Sequence, residues 1–143
     1  MRTAVHLILA AVVALSLSGC SYLFYPKAGH YLAQAKGTTG VQTIENLTTM
    51  LEASSKAALN PTTYQAAMDD LHNQVHALDQ AFCEVTEQQA KTVTYAKAVT
   101  LKQEIRAVFK RLWKQRHDQS MRVAQLDLFV KRLQELRETV RLL

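Results

Sequence analysis

Five side chains able to bind metal ions recur in the middle of the chain: Asp69, His72, His76, Asp79 and Cys83. Their spacing alternates between three and four residues, so a helix would place all of them along one face. Two histidines one turn apart can present their imidazoles to one ion, and zinc, copper or nickel would accept such ligands. The same spacing is typical of the solvated polar flank of a helix-packing seam. Both interpretations stay open on the sequence alone.

A second group surrounds the only tryptophan of the chain: Lys110, Arg111, Trp113, Lys114 and Arg116. Basic residues beside a tryptophan suit an anionic membrane surface. Tryptophan and arginine are also enriched where protein partners bind most tightly. A solvated basic face with a half-buried Trp113 at the end of a helical hairpin would give the same pattern. We interpret the group as a contact surface for a partner or a membrane, with the solvated face as the alternative.

The N-terminus carries a pattern of another kind. Arg2 precedes an apolar run from Ala4 to Leu17 that ends in small residues, as in a secretory signal peptide. A membrane-spanning helix needs roughly 20 apolar residues, so this run is short for a permanent anchor. Leu17-Ser18-Gly19-Cys20 resembles the lipobox of bacterial lipoproteins. An ordinary signal peptide or an uncleaved anchor with an incidental cysteine is the alternative.

The lipobox resemblance implies a covalent lipid and a location. It implies cleavage before Cys20, a diacylglycerol thioether on the sulfur and an acylated amino group, and such chains hold a protein on a bilayer. In many Gram-negative lipoproteins an aspartate after the cysteine retains the protein in the inner membrane. Ser21 stands there in this chain, which by the same resemblance favours the outer membrane, facing the periplasm. No cofactor is expected beyond this lipid, unless the metal interpretation holds.

The expected organisation follows from this resemblance and from composition. Residues 1–19 would be the cleaved signal peptide, 20–40 a lipidated tether and 41–143 a helical domain. The tether contains four aromatic residues, which would either rest in the membrane interface or pack on the helices. They are Tyr22, Phe24, Tyr25 and Tyr31.

Glycine and proline are scarce in the helical domain. No glycine follows Gly40, and Pro61 is the only proline beyond it. Because tight hairpin turns depend on these residues, an all-β fold is not expected. Once Cys20 is lipidated, Cys83 is the only cysteine left, and no intramolecular disulfide is expected. The Cys83 thiol is then either buried or paired between chains.

The charge is unevenly distributed along the chain. Residues 20–90 carry a net charge of −4 and residues 91–143 a net charge of +8. Export argues against nucleic acid as a partner, despite the basic half. Anionic lipid, an acidic partner and the acidic half of the chain itself remain as counterparts of the basic half.

Apolar residues at steps of three and four predict helices over about 41–59, 61–116 and 119–142. Asn60-Pro61 is expected to restart the helix, and Asp118 or Ser120 to cap the last one. The second apolar stripe, from Ala98 to Leu112, is out of phase with the first. We therefore expect one long helix with a phase slip, or a break near 89–94 as the alternative. The most regular stripe is a heptad seam of Tyr64, Met68, Leu71, Val75, Leu78, Phe82 and Val85.

These patterns predict an all-α fold, an antiparallel helical bundle or hairpin with coiled-coil-like seams, elongated in shape. No catalytic motif occurs, and a helical rod with few loops has little on which to build an active site, so we predict that the protein is not an enzyme. We expect a small membrane-anchored envelope lipoprotein, a structural or interaction module that docks onto an envelope protein, with self-association left open. The alternative is a periplasmic metal-binding or stress-sensing protein that uses the His72 and His76 face.

Overall fold

The computed structural model describes residues 26–143, and within this range the chain forms helices and no strand. A 3₁₀ turn, Phe82–Glu84, follows the third helix. The predicted all-α class is confirmed. The six α-helices are α1 (Pro26–Ala35), α2 (Gly40–Ala57), α3 (Tyr64–Ala81), α4 (Glu87–Ala90), α5 (Val93–Lys114) and α6 (Gln119–Val140).

The four long helices pack side by side with alternating direction. Helix α5 packs along α6, α6 along α2, and α2 along α3, whereas α3 and α5 approach each other at only a few points. Helix α1 lies on the α2 and α3 pair. None of these six helices is long and apolar enough to cross a membrane. The core between them is made of large side chains with almost no exposed surface, including Leu47, Leu71, Leu78, Ile105, Leu112, Phe129 and Leu133.

The heptad seam predicted around α3 faces this core. Met68, Leu71, Val75, Leu78 and Phe82 are all buried. The two ends of the seam are half-buried, at Tyr64 and Val85. The burial agrees with the sequence spacing, while knobs-into-holes packing along the seam stays a prediction.

The prediction of one continuous helix over 61–116 is wrong. Helix α3 ends at Ala81, and the next long helix begins only at Val93. Thr86 forms a capping box with Gln89, each side chain accepting a hydrogen bond from the other residue's backbone N–H, at 3.3 and 3.2 Å. The Thr92 hydroxyl caps α5 by accepting from the Tyr95 N–H at 3.1 Å. The two caps provide hydrogen-bond partners for backbone N–H groups of residues 86–95, so this segment need not continue the helix. The break therefore begins after Ala81, earlier than the break near 89–94 that the sequence offered as the alternative.

The tether prediction is wrong for Pro26–Ala35, which forms α1. Tyr31 on this helix donates its hydroxyl proton to Asp70 of α3 at 2.5 Å, so it packs on the helices. Cys20 and the other three aromatic residues of the predicted tether lie outside the described residues.

The ends of the long helices depend on short polar side chains. Helix α3 begins at Tyr64 and not at Pro61, because Asn60 Oδ1 accepts from the Thr62 N–H and hydroxyl at 2.9 and 2.8 Å and holds a turn there. Asp118 caps α6 by accepting from the Met121 N–H at 3.0 Å, which confirms the predicted cap.

Candidate functional site: a cationic aromatic groove

The histidine stripe of α3 and the basic tryptophan segment of α5 meet on one surface. They line an open groove of about 580 Å³ where the two helices approach only loosely. We call it the α3–α5 groove. Its lining residues are His72, Val75, His76, Arg106, Ala107, Phe109, Lys110, Trp113 and Lys114.

Aromatic rings form the floor of the groove. The centroid of the His72 ring lies 4.9 Å from that of Trp113 and 6.0 Å from that of Phe109. Phe109 also contacts Phe129 of α6, with 6.0 Å between centroids, which joins the floor to the core. All three pairs are tilted rather than stacked face to face, a geometry that aromatic pairs prefer. The floor is therefore a packed aromatic surface that is continuous with the core.

Three exposed cations form the rim of the groove on the α5 side. Arg106, Lys110 and Lys114 follow one another at intervals of four residues, so they lie on one face of the helix. Arg106 pairs with Asp79 of α3 at 3.3 Å. Within residues 26–143, no carboxylate lies within 4.0 Å of the ammonium group of Lys110 or Lys114. These two lysines present their charge to whatever enters the groove.

Trp113 is half-buried and held from two sides. The guanidinium of Arg116 lies 4.3 Å from the indole centroid and donates a hydrogen bond to the Trp113 carbonyl at 2.7 Å. His72 packs on the ring from the α3 side. The cation–π contact and the histidine together fix the orientation of the indole at the groove.

Of the residues predicted to form a contact patch, some line the groove and others do not. Lys110, Trp113 and Lys114 line the groove, and Arg116 supports Trp113 from behind. Arg111 is exposed but does not line the groove. It falls outside because α5 turns by about 100° per residue, which places it away from Lys110 and Lys114.

Of the five candidate metal ligands, the structure brings the two histidine rings next to each other and leaves Asp79 close enough to His76 to act on its pKa. The His72 and His76 rings lie 4.9 Å apart. Asp79 is engaged by Lys102 at 3.6 Å and by Arg106 at 3.3 Å. Asp69 is exposed and lines a separate cavity beside Tyr64.

Cys83 is exposed on the 3₁₀ turn, so of the two alternatives for this thiol the buried one is wrong. Pairing between chains stays a prediction. In the part of the chain that the structure describes, no group of three or more His, Cys, Asp or Glu side chains is arranged to hold a metal ion.

The surroundings of His76 lower the pKa of its imidazole below 6.5. Partial burial is the largest cause, followed by the neighbouring His72. Arg106 of α5 lowers the pKa further, while the Asp79 carboxylate acts in the opposite direction. Burial, reinforced by the two basic neighbours, therefore favours the neutral imidazole of His76.

Arg122 has a structural role that was not predicted from the sequence. This side chain is only 2% exposed, although it follows a basic segment. Its guanidinium donates to the carbonyls of Ala58 at 3.0 Å and Arg116 at 2.6 Å, and lies 4.1 Å from the Tyr64 ring centroid. It thereby ties the loop before α3 to the turn before α6, next to the groove. Its position was visible in the sequence, because Arg122 continues the 3–4 spacing of Leu126 and Phe129.

Part of the basic half pairs with the acidic half of the chain. Arg137 of α6 forms an ion pair with Glu52 of α2, and Arg141 bonds Glu45 at 2.7 Å. Among the described residues, Lys110 and Lys114 on the rim of the groove have no acidic neighbour within 4.0 Å. The acidic half of the chain therefore pairs with cations at the α2–α6 interface and with Arg106 on the rim, but not with Lys110 or Lys114.

Comparisons with models of protein families, with curated proteins and with solved structures found no match to this chain.

Proposed function

We propose that the protein is a lipid-anchored lipoprotein of the cell envelope whose helical domain docks onto an envelope protein through the α3–α5 groove. The sequence Leu17-Ser18-Gly19-Cys20 supports the anchor and the outer-membrane location that accompanies it. The groove supports the docking role. The anchor would confine the domain to the membrane surface, where a partner is met at high local concentration.

One observation carries the docking proposal: Trp113 is held half-buried on an aromatic floor beside two lysines without acidic neighbours. Tryptophan in a partly enclosed site is the side chain from which binding hot spots are most often built. Cations around it attract an oppositely charged partner and speed its association. On a solvated basic face, we would not expect an indole that is packed against other rings and lines a concave surface.

The helices hold this surface in place before any partner arrives. Phe109 reaches the core through Phe129, and the Asp79 pairs with Lys102 and Arg106 link α3 to α5 beside the groove. A surface that is already ordered loses less conformational entropy on binding. The fold therefore acts as a support for a preformed contact site.

A pull-down from detergent-solubilised membranes tests this function. The test variant is Trp113→Ala with Lys110→Glu and Lys114→Glu. The control is Arg111→Glu with Lys131→Glu, which makes the same change of charge at exposed positions outside the groove. Circular dichroism establishes that both variants remain helical.

We expect the test variant to lose proteins that the wild type and the control both recover. Truncating a hot-spot tryptophan typically costs about 2 kcal/mol or more, roughly thirtyfold in affinity. If the test variant recovers the same proteins in the same amounts as the control, the groove is not the docking surface.

A further inference from the structure

The α3–α5 groove is as long as two turns of a helix. Its α5 wall extends from Arg106 to Lys114, two turns of helix and about 12 Å at 1.5 Å per residue. The other adjoining pairs of long helices pack closely along their length, whereas α3 and α5 leave an open channel between them. A further helix lying in this channel would pack on both walls, as amphipathic helices do in hydrophobic grooves.

The chemistry of the groove specifies the two faces of such a helix. Val75, Ala107 and Phe109 join Trp113 and His72 in a floor that suits an apolar side chain. Lys110 and Lys114 stand one helical turn apart on the rim. None of the nine lining residues carries a carboxylate. The occupant should therefore carry an apolar anchor flanked by carboxylates.

A flat anionic membrane fits this surface less well. Aromatic residues that insert into a bilayer interface project outward, with apolar area free to enter the headgroup region. Trp113 instead lies in a concave surface, against His72 and under Arg116. The floor of the groove would remain out of reach of a planar bilayer.

A second copy of this chain also fits less well, because many of its carboxylates already have partners. Glu45 and Glu52 bond arginines of α6, and Glu84 bonds Lys36 at 2.7 Å. Asp70 accepts from Tyr31, and Asp79 is engaged by Lys102 and Arg106. The folded domain thus offers few free carboxylates to a neighbouring groove.

We infer that the α3–α5 groove binds an acidic amphipathic helix of a partner protein, its apolar anchor between His72, Phe109 and Trp113 and its carboxylates on Lys110 and Lys114. This inference rests on the proposed docking function and names the chemistry of the partner. Carboxylates three or four residues apart on the incoming helix would match the spacing of the two lysines.

Intrinsic fluorescence measures occupancy of the groove directly, because Trp113 is the only tryptophan of the chain. The probe is a synthetic amphipathic helical peptide without tryptophan, with leucine on one face and glutamate beside it. It is titrated into the full chain reconstituted in phosphatidylcholine vesicles. A peptide with lysine in place of each glutamate and one with serine in place of each leucine are the matched probes.

We expect a saturable change in Trp113 emission and lower quenching by acrylamide with the acidic peptide, and neither with the two matched peptides. Binding should weaken as salt rises, since the Debye length falls from about 10 Å at 0.1 M to about 3 Å at 1 M. Lys110→Glu with Lys114→Glu should lower the affinity by at least about tenfold, whereas Arg111→Glu with Lys131→Glu should leave it unchanged.

Four results would overturn the inference. The lysine peptide could bind as tightly as the acidic one. The variant Lys110→Glu with Lys114→Glu could bind the acidic peptide as tightly as the wild type does. Vesicles containing phosphatidylglycerol could change the Trp113 emission while the acidic peptide does not, which would assign the groove to a membrane. If the peptide fails but the pull-down still depends on the groove, the docking function stands and only the chemistry assigned to the partner is wrong.

Discussion

The imidazole of His76 lies among His72 and Asp79 of its own helix and Arg106 of α5. Burial and the two basic neighbours outweigh the carboxylate, and the pKa of the imidazole falls below its ordinary value. The side chains that line the groove are thus coupled electrostatically as well as by contact. An acidic ligand would shift this balance toward the protonated form, because a nearby carboxylate stabilises the imidazolium.

The direction of this pKa shift predicts how stability depends on pH. The unfolded chain, with an ordinary histidine pKa of about 6.5, binds the proton more readily than the folded protein does. The contribution of neutral His76 to stability is present above pH 6.5 and is lost as the pH falls toward the lowered pKa. We expect the melting temperature to fall over this range in the wild type and to fall less in His76→Gln.

His30→Gln is the matched control for this measurement, since it removes an exposed imidazole from α1, away from the groove. It should keep the pH dependence of the wild type. An equal decrease in melting temperature for His76→Gln and wild type would show that His76 does not contribute to it.

The proposed lipidation rests on one residue, Cys20. Cys20→Ala removes the sulfur that would carry the diacylglycerol, so the protein should leave the membrane fraction or accumulate as an uncleaved precursor. Labelling with radioactive palmitate should mark the wild type and not the variant. Ser18→Ala, which keeps a small residue before the cysteine, should be processed normally. Absence of label in the wild type, together with unchanged size and membrane attachment of Cys20→Ala, would contradict the lipobox interpretation.

At the scale of elements, the helix boundaries show which sequence signals were sufficient. The apolar stripes mark residues that the long helices bury, because burial of one face is what stabilises a helix in a small domain, but they did not reveal α1 or the end of α3 at Ala81. The gap between α3 and α5 was misplaced because no glycine or proline marks it. Its signal was the capping-box pattern of Thr86 and Gln89, which works through hydrogen bonds rather than through backbone flexibility.

Gly40, the first residue of α2, allows the segment between α3 and α5 to pack against the start of that helix. A Cβ atom at Gly40 would lie 2.4 Å from the Glu84 carbonyl oxygen and 2.8 Å from the Val85 nitrogen, both backbone atoms. Gly40→Ala should therefore force the start of α2 away from the turn after α3, at a cost of about 1–3 kcal/mol. Chemical denaturation followed by circular dichroism measures this loss.

Gly37→Ala is the matched control for this substitution. The three nearest atoms to its Cβ would all belong to the exposed Gln42 side chain, with the Gln42 Cβ and Cγ at 2.7 Å, so Gln42 would have to shift, but none of the three is a backbone atom. We expect a smaller loss of stability at Gly37 than at Gly40. Equal losses would mean that the contact between Gly40 and Glu84 does not constrain the fold.

At the scale of the whole molecule, two groups of residues that are separate in the sequence become one surface. His72 and Trp113 could not be paired from the sequence, because a continuous helix over 61–116 would have kept them far apart. The break after Ala81 reverses the chain direction and brings α5 back along α3. The residue types of the site were predictable from the sequence, whereas their convergence depended on this reversal.

The distribution of charge is likewise understood only in the folded molecule. Arg137 and Arg141 of the basic half join α6 to α2, so their charge is used within the fold. Lys110 and Lys114 remain without acidic neighbours among the described residues, beside an ordered tryptophan. Some of the cations in the C-terminal half therefore form ion pairs within the fold, and others lie on the rim of the groove.

Docking of a partner protein in the α3–α5 groove can be tested by site-specific photo-crosslinking in living cells, with benzoylphenylalanine placed at Ala107 or Lys114 in the groove and at Arg111 or Lys131 outside it. We predict crosslinks from the two groove positions to an acidic helical segment of one envelope protein, mapped by mass spectrometry, and none to that segment from the two outer positions. Crosslinks to that protein from Arg111 and Lys131, with none from the groove positions, would show that the partner docks elsewhere.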